Sequence, residues 1–398
     1  MGVTLKVPFL VLNPISMEEL LAGKRIDVFI TGTYTIMVAI LLFVISYLFF
    51  SVSPQKPILT FKTKWRPNRI LFICLVLTII TLTCALLAIN SIGISSLLSK
   101  FSEKRFLELE GAGGRLGSSL YVYYKVALFA KTTAYISLVY ILLTPKTRKY
   151  SKLIILMLII SLLISTVIPT IFNARAQAIL VCLDMLIIAY FSGIRLRYDY
   201  ILAVSGAAYG IIAYTTLQRV GDERYTSVIE SIISRRYLLD ITKTAQIFDH
   251  FKENDAWFYG ETLIGWLFII VPSSIYPNKP MFVEMGKWIG TNIFGYDISG
   301  VPPGYVGELY LNFGWPGLLI GMPLMGIIIG LIWRWFIPRT LHPIALLVGS
   351  MVIVRFSVFL FNNDFGTFMI KIALEILPIV IFLLWISKTV DKKRQISP

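Results

Sequence analysis

Gln218-Arg-Val-Gly-Asp-Glu-Arg-Tyr225 opens, and Gly300-Val-Pro-Pro-Gly-Tyr-Val-Gly-Glu-Leu-Tyr-Leu-Asn-Phe-Gly314 closes, the one long stretch of this chain that lacks a full membrane span, residues 218–312. Between them lie Phe258-Tyr-Gly-Glu-Thr-Leu-Ile-Gly-Trp266 and Pro277-Asn-Lys-Pro280. Acids, bases, aromatics and Gly/Pro turns alternate here, and long connections of this kind are functional or disordered. The many Trp, Tyr, Phe and Pro residues argue for order. A folded recognition segment on a membrane scaffold is the expectation.

On either side the chain is a succession of apolar runs, at residues 30–50, 70–89, 122–143, 153–172, 178–191, 201–217, 317–336, 343–361 and 368–387. Each is close to the length that crosses the hydrocarbon core as helix, so the fold class is an all-α polytopic membrane protein of about nine transmembrane helices. It divides into N-terminal membrane helices (1–217), a large extracytoplasmic loop (218–312) and C-terminal helices with a cytoplasmic tail (313–398). The apolar run at 263–275 is too short for a span and is broken by Pro272. It predicts a re-entrant or interfacial helix inside the loop. Ser16-Met-Glu-Glu predicts a short capped helix near the start.

Composition sets the class. Hydrophobic residues make up 57% and charged residues 15%, with a mean hydropathy of +0.77, which excludes an ordinary soluble domain. Lys and Arg number 37 against 22 for Asp and Glu. In such a chain that excess reports topology rather than a nucleic-acid partner. Lys56 to Arg69, Lys146 to Lys152, Arg195 with Arg197, and Lys388 to Arg394 are the clusters, and by the positive-inside rule they put the 218–312 loop outside. The three cysteines sit in apolar runs without metal spacing, so neither a disulfide framework nor a zinc site is expected. There is no signal-peptide pattern at the start, and no internal repeat of the kind that builds transporters from inverted halves.

Charges inside or beside the apolar runs carry the chemistry, because burying them in a bilayer is expensive. Arg175 stands at the outer mouth of the fourth span, Arg219 beside Gln218 at the outer end of the sixth, and Arg355 within the eighth. Lys371 and Glu375 lie four apart in the ninth, where an i,i+4 pair is the structural alternative. Snorkelling is the alternative for Arg175, and a solvated helix end for Arg219. Arg355 has no neutralising neighbour in its own helix. Asp184 needs a partner, with Lys131 the candidate. These arginines converge on the outer leaflet, and guanidinium forks suit a diphosphate better than a lone carboxylate. That implies a lipid-linked phosphate or pyrophosphate ligand. Loop aromatics, Tyr259, Trp288 and Tyr305 among them, offer flat faces to sugar rings, or form an interfacial belt.

Trp257-Phe-Tyr-Gly-Glu-Thr262, Val271-Pro with Tyr276-Pro-Asn-Lys-Pro280, and Pro303-Gly-Tyr-Val-Gly-Glu-Leu-Tyr-Leu-Asn-Phe-Gly-Trp-Pro-Gly317 resemble the Wzy-type O-antigen (oligosaccharide repeat-unit) polymerases. So do the arginine in Asn173-Ala-Arg-Ala-Gln177 and the arginine that opens the long loop. The resemblance covers most of residues 153–361; the first three spans match only in hydropathy. It implies a fold similar to the C superfamily of membrane glycosyltransferases. It also implies transfer of a growing glycan from undecaprenyl pyrophosphate to an incoming lipid-linked unit, at the periplasmic face of the bacterial inner membrane.

On that resemblance Arg175, Arg219 and Arg355 stabilise the departing pyrophosphate, and Glu308 deprotonates the acceptor hydroxyl. Arg224, Lys279, Gln218 and Tyr305 bind pyrophosphate or glycan. No metal and no cofactor is expected. Membrane lipid and the undecaprenyl-linked oligosaccharide are the partners, with a chain-length regulator as a further candidate. An O-antigen ligase and a lipid-linked oligosaccharide transporter are the alternatives. The ligase is disfavoured because His250 and His342 match no loop-histidine pattern.

Overall fold

The structure, a computed structural model, describes residues 26–52, 64–92, 119–143, 150–171, 175–194, 206, 210, 241–253, 258–268, 271, 274–277, 285–295, 301–340, 342–360 and 363–388. It is helical: α1 (Ile26–Ser51), α2 (Pro67–Ile92), α3 (Ser119–Ala127), α4 (Ala130–Leu143), α5 (Ser151–Ile171), α6 (Arg175–Phe191), α7 (Ile241–Glu253), α8 (Glu261–Ile264), α9 (Met285–Asn292), α10 (Gly304–Phe336), α11 (Pro343–Phe359) and α12 (Phe365–Ile386). Among the described residues six helical segments are long and apolar enough to cross a membrane, and two shorter apolar helices accompany them. The chain is therefore an α-helical polytopic membrane protein. The expected span at 201–217 and the capped helix near Ser16 lie outside the described residues.

The described elements fall into two compact units. The first holds α1, α7 to α10, the end of α11 and the first half of α12. Its centre is α10, which is not one rod. Gly314 has φ 62° and ψ −146°, outside helical space, and Pro316 cannot donate to the Asn312 carbonyl four residues back. A Cβ on Gly317 would sit 2.5 Å from the Leu309 oxygen, and the Tyr305 hydroxyl reaches the Gly321 carbonyl at 3.4 Å. In a straight helix residues 305 and 321 would be ~24 Å apart, beyond any tyrosine side chain. The two legs, 304–313 and 315–336, thus fold back on each other as a helical hairpin. The long leg is ~33 Å, one bilayer core.

This corrects the expectation that residues 304–312 are loop. Gly304, Gly307, Pro302 and Pro303 read as turn signals, yet Tyr305, Val306, Leu309 and Tyr310 bury one apolar face, and that burial decides for helix. Among the described residues of the apolar run at 263–275, the end of α8 and one 3-10 turn, Gly265–Phe268, come before a turn at 274–277.

Small residues let α1 approach the long leg. Added Cβ atoms would stand 2.4 Å from the Phe43 oxygen at Gly326 and 3.0 Å from the Tyr47 oxygen at Gly330. Close backbone approach of this kind drives helix association in lipid. Gly32 of α1 receives Ala245 of α7 in the same way. The turn between α11 and α12 docks on the short leg, where the Tyr305 N–H, an orphan donor of a helix start, bonds to the Leu360 carbonyl at 3.0 Å.

The second unit holds α2 to α6, the first part of α11 and the end of α12. Ala85, Ala88, Ala127 and Ala130 pack with Tyr124, Ile164 and Ile168. Two pairs of buried polar groups meet inside it. Thr78 meets Ser161 at 3.5 Å, and the Tyr135 hydroxyl donates to Asp184 Oδ2 at 2.5 Å. Lys131, also buried, lies one turn before Tyr135 on the same helix face. Lys64 and Trp65 pair antiparallel with Lys388 and Ser387, and Arg69 donates to the Trp385 carbonyl at 2.7 Å with its guanidinium over the Trp385 ring. Two of the basic segments expected on one side of the membrane are thereby joined. His342 caps α11 through Nδ1, which accepts the Ala345 N–H at 3.4 Å; burial, then the Arg339 charge, hold its imidazole below the ordinary value.

Candidate functional site

The break in α10 creates the site. With Pro316 unable to donate, the Asn312 carbonyl takes the Tyr259 N–H at 3.2 Å, and the neighbouring Leu311 carbonyl takes the Phe258 N–H at 3.2 Å. The Asn312 side chain completes the dock, Oδ1 accepting from the Gly260 N–H at 2.8 Å. To make these bonds the chain turns through two left-handed residues, Tyr259 at φ 45° and Gly260 at φ 91°. Gly suits that conformation; a tyrosine there is an outlier, of the sort concentrated at functional sites.

Behind the turn lies a buried polar relay. Asn312 Nδ2 donates to Thr262 Oγ1 at 2.7 Å, and the Thr262 hydroxyl donates to Glu308 Oε1 at 2.8 Å. Glu308 Oε2 accepts the N–H of Phe365, the first residue of α12. Asn312 Nδ2 also reaches the Glu308 carbonyl at 2.8 Å. Asp364 Oδ1 accepts the Thr367 N–H at 2.7 Å, the geometry of an N-cap. The start of α12 therefore carries two carboxylates, the sign that complements the positive end of the helix macrodipole. Glu308 is completely buried, and both of its oxygens are engaged.

Cations lie farther along α11 and α12. Arg355 Nε donates to Glu375 Oε2 at 2.7 Å, with side chains 1% and 14% exposed. The neutralising partner that its own helix lacks thus comes from α12. Lys371 Nζ donates to Asn363 Oδ1 at 3.1 Å, just ahead of Asp364. Phe356 and Phe368 pack edge to face at 4.9 Å between the two helices.

Of the expected site residues, Glu308, Tyr305 and Arg355 fall in the first unit. Glu308 and Tyr305 both bond to the turn between α11 and α12, at Phe365 and Leu360 respectively. Arg175 is the first residue of α6, in the second unit. Gln218, Arg219, Arg224 and Lys279 lie outside the described residues. Sequence reasoning assigned no role to Thr262, Asn312, Asp364 or Tyr135. A signal for Asp364 was present, since an aspartate three residues before Thr367 and just ahead of an apolar run is an N-cap pattern. For Thr262 and Asn312 there was none, because the relay joins segments 50 residues apart. Among the described residues no three His, Cys, Asp or Glu side chains gather as a metal site would require. No family model, curated protein or solved structure matches the chain.

Proposed function

We propose that the chain polymerises oligosaccharide repeat units carried on undecaprenyl pyrophosphate, at the outer face of a bacterial inner membrane. The observation that carries this reading is the meeting of two separated stretches, Phe258-Tyr-Gly-Glu-Thr262 and Tyr305-Val-Gly-Glu-Leu-Tyr-Leu-Asn312. They are bonded at Leu311, Asn312 and Glu308. These are the stretches on which the resemblance to the repeat-unit polymerases rests, so their convergence supports a common site.

In the reaction the bond between the anomeric carbon of the growing glycan and its pyrophosphate breaks. A new bond forms to an acceptor hydroxyl oxygen, the proton goes to a base, and undecaprenyl pyrophosphate departs. Glu308 is the candidate base, and the Thr262 hydroxyl donating to its Oε1 at 2.8 Å marks where an acceptor hydroxyl would stand. To act, Glu308 exchanges Thr262 for that hydroxyl while Phe365 holds its other oxygen. Arg355 reaches a phosphate by exchanging Glu375 for it, and Arg175 and Arg219 supply further charge. Gln218, Arg224, Lys279 and Tyr305 form the rest of the binding surface. The proposal includes the full nine-span layout and a fold like that of the C-superfamily glycosyltransferases.

A second reading is a lipid-linked oligosaccharide transporter, which the broken helix α10 favours, since discontinuous helices build transporter binding sites. One experiment separates them. Purified protein is given an undecaprenyl-pyrophosphate repeat unit and no other acceptor. A ladder of products on a gel is expected. No ladder, with transbilayer movement of the same lipid in proteoliposomes, would replace the polymerase with the transporter.

A further inference from the structure

At the tip of the α10 hairpin three aromatic side chains are exposed: Tyr259 is 75% exposed, Trp315 44% and Phe313 43%. They flank three left-handed residues, Tyr259, Gly260 and Gly314. Tyr259 is the single non-glycine residue with positive φ among the described residues. The Phe313 ring covers Gly260, where an added Cβ would sit 3.0 Å from Cζ. Bonds from Tyr259 to the Asn312 carbonyl and from Gly260 to its side chain fix the turn. Next along the chain Glu261 is exposed. Two bonded segments, 259–261 and 312–315, therefore carry exposed rings and a carboxylate on backbone held in an unfavourable conformation.

We propose that this patch is a carbohydrate subsite, in which Tyr259 and Trp315 stack on pyranose faces and Glu261 accepts hydrogen bonds from sugar hydroxyls. The faces of a pyranose present polarised C–H bonds that match the negative face of an aromatic ring. An ionised carboxylate has only acceptors to offer, and vicinal hydroxyls donate to both of its oxygens. A headgroup anchor would need aromatic side chains at the interface but no left-handed tyrosine to aim one. A carboxylate beside the rings also disfavours an anionic bilayer surface. The strained turn instead buys a fixed ring orientation, as ring stacking on a sugar demands. That the sugar is a repeat unit rests on the polymerase reading; the subsite itself does not.

The test is saturation-transfer NMR on the full chain in nanodiscs of deuterated lipid, with maltotriose, cellotriose and chitotriose as probes. Transfer to at least one trisaccharide is expected. Tyr259→Gly keeps the left-handed turn and removes the ring, and should weaken binding about tenfold, while Tyr259→Phe should restore it. Glu261→Gln should weaken it as well, and Leu267→Ala, at an exposed residue of the 3-10 turn that follows, should not. No transfer to any probe, equal transfer in all variants, or broadening of the Tyr259 ring by spin-labelled lipid headgroups would each overturn the subsite. The two proposals fail separately. A product ladder that Tyr259→Gly leaves unchanged removes the subsite and keeps the polymerase. Trisaccharide binding without any ladder removes the polymerase and keeps the subsite.

Discussion

Replacing Glu308 by Ala and by Gln separates its bonding from its basicity. Glu308→Ala strips acceptors from the part-buried Phe365 N–H and from the buried Thr262 hydroxyl. Leaving a buried donor unsatisfied costs ~1–3 kcal/mol each. Thr262 still accepts from Asn312, and its proton can swing to another acceptor, so its share falls at the low end. Adding the cavity, the total is about 3–5 kcal/mol. Glu308→Gln keeps one oxygen for Phe365, and its amide can donate to Thr262 Oγ1, so the cost is only about 1 kcal/mol. Titration with SDS in bicelles, read by helix content, gives both values. Turnover then reads the chemistry. A base replaced by an amide loses kcat and keeps KM, whereas an organising residue retains measurable turnover in the Gln variant. An Ala variant within about 1 kcal/mol of the parent would refute the relay as a stabilising element. A Gln variant with normal kcat would refute the base.

Four further outcomes are expected. Arg355→Met should cost about 3–5 kcal/mol by taking the guanidinium from Glu375, and Arg355→Met with Glu375→Leu should recover much of it; additive losses would mean the 2.7 Å pair is not coupled. Gly326→Ala drives a Cβ to 2.4 Å from the Phe43 oxygen and should destabilise by about 1–3 kcal/mol. Gly210→Ala, with nothing within 4 Å, is the control, and equal effects would refute the close packing of α1. Ser274→Cys, in a chain with Cys74, Cys84 and Cys182 replaced, should react with an impermeant maleimide on intact cells; reaction only after lysis would invert the topology. His250→Gln leaves His342 as the single histidine, since the chain has two. Its ring should titrate below ~6.5, because burial and then Arg339 disfavour the cation. The unfolded chain then binds the proton first, so this group removes stability as pH falls below that value; NMR showing titration at or above it would reject the environment described.

Hydropathy found the six long apolar helices among the described residues because lipid demands a run of apolar residues whatever the tertiary contacts. The same window logic misread residues 304–312. There, two glycines, with two prolines just ahead, looked like loop, while the burial of Tyr305 and Leu309 that makes them helix comes from contacts with 317–321. Arg355 was legible as a charge needing a partner, but its partner stands 20 residues on, in the next helix. Asp184 was legible in the same sense, and Tyr135, 49 residues away, was invisible as its donor. A single sequence shows which groups cannot be left alone in a membrane. Which of them meet is set by helix rotation and by the break at Gly314.

The packing of α1 on the long leg of α10 has a consequence in time. At about 5–20 residues per second, Gly326 is made roughly 15–60 s after Phe43, the residue whose backbone it will touch. During that interval α1 has only lipid and later-made neighbours against the surface destined for Gly326 and Gly330. Its apolar sequence lets it wait there. The helices α2 to α6 are consecutive in the chain and need no such delay to find one another. A side chain added at Gly326 therefore acts on a late step of assembly, and its effect should grow in cells whose membrane quality control removes unpartnered helices quickly.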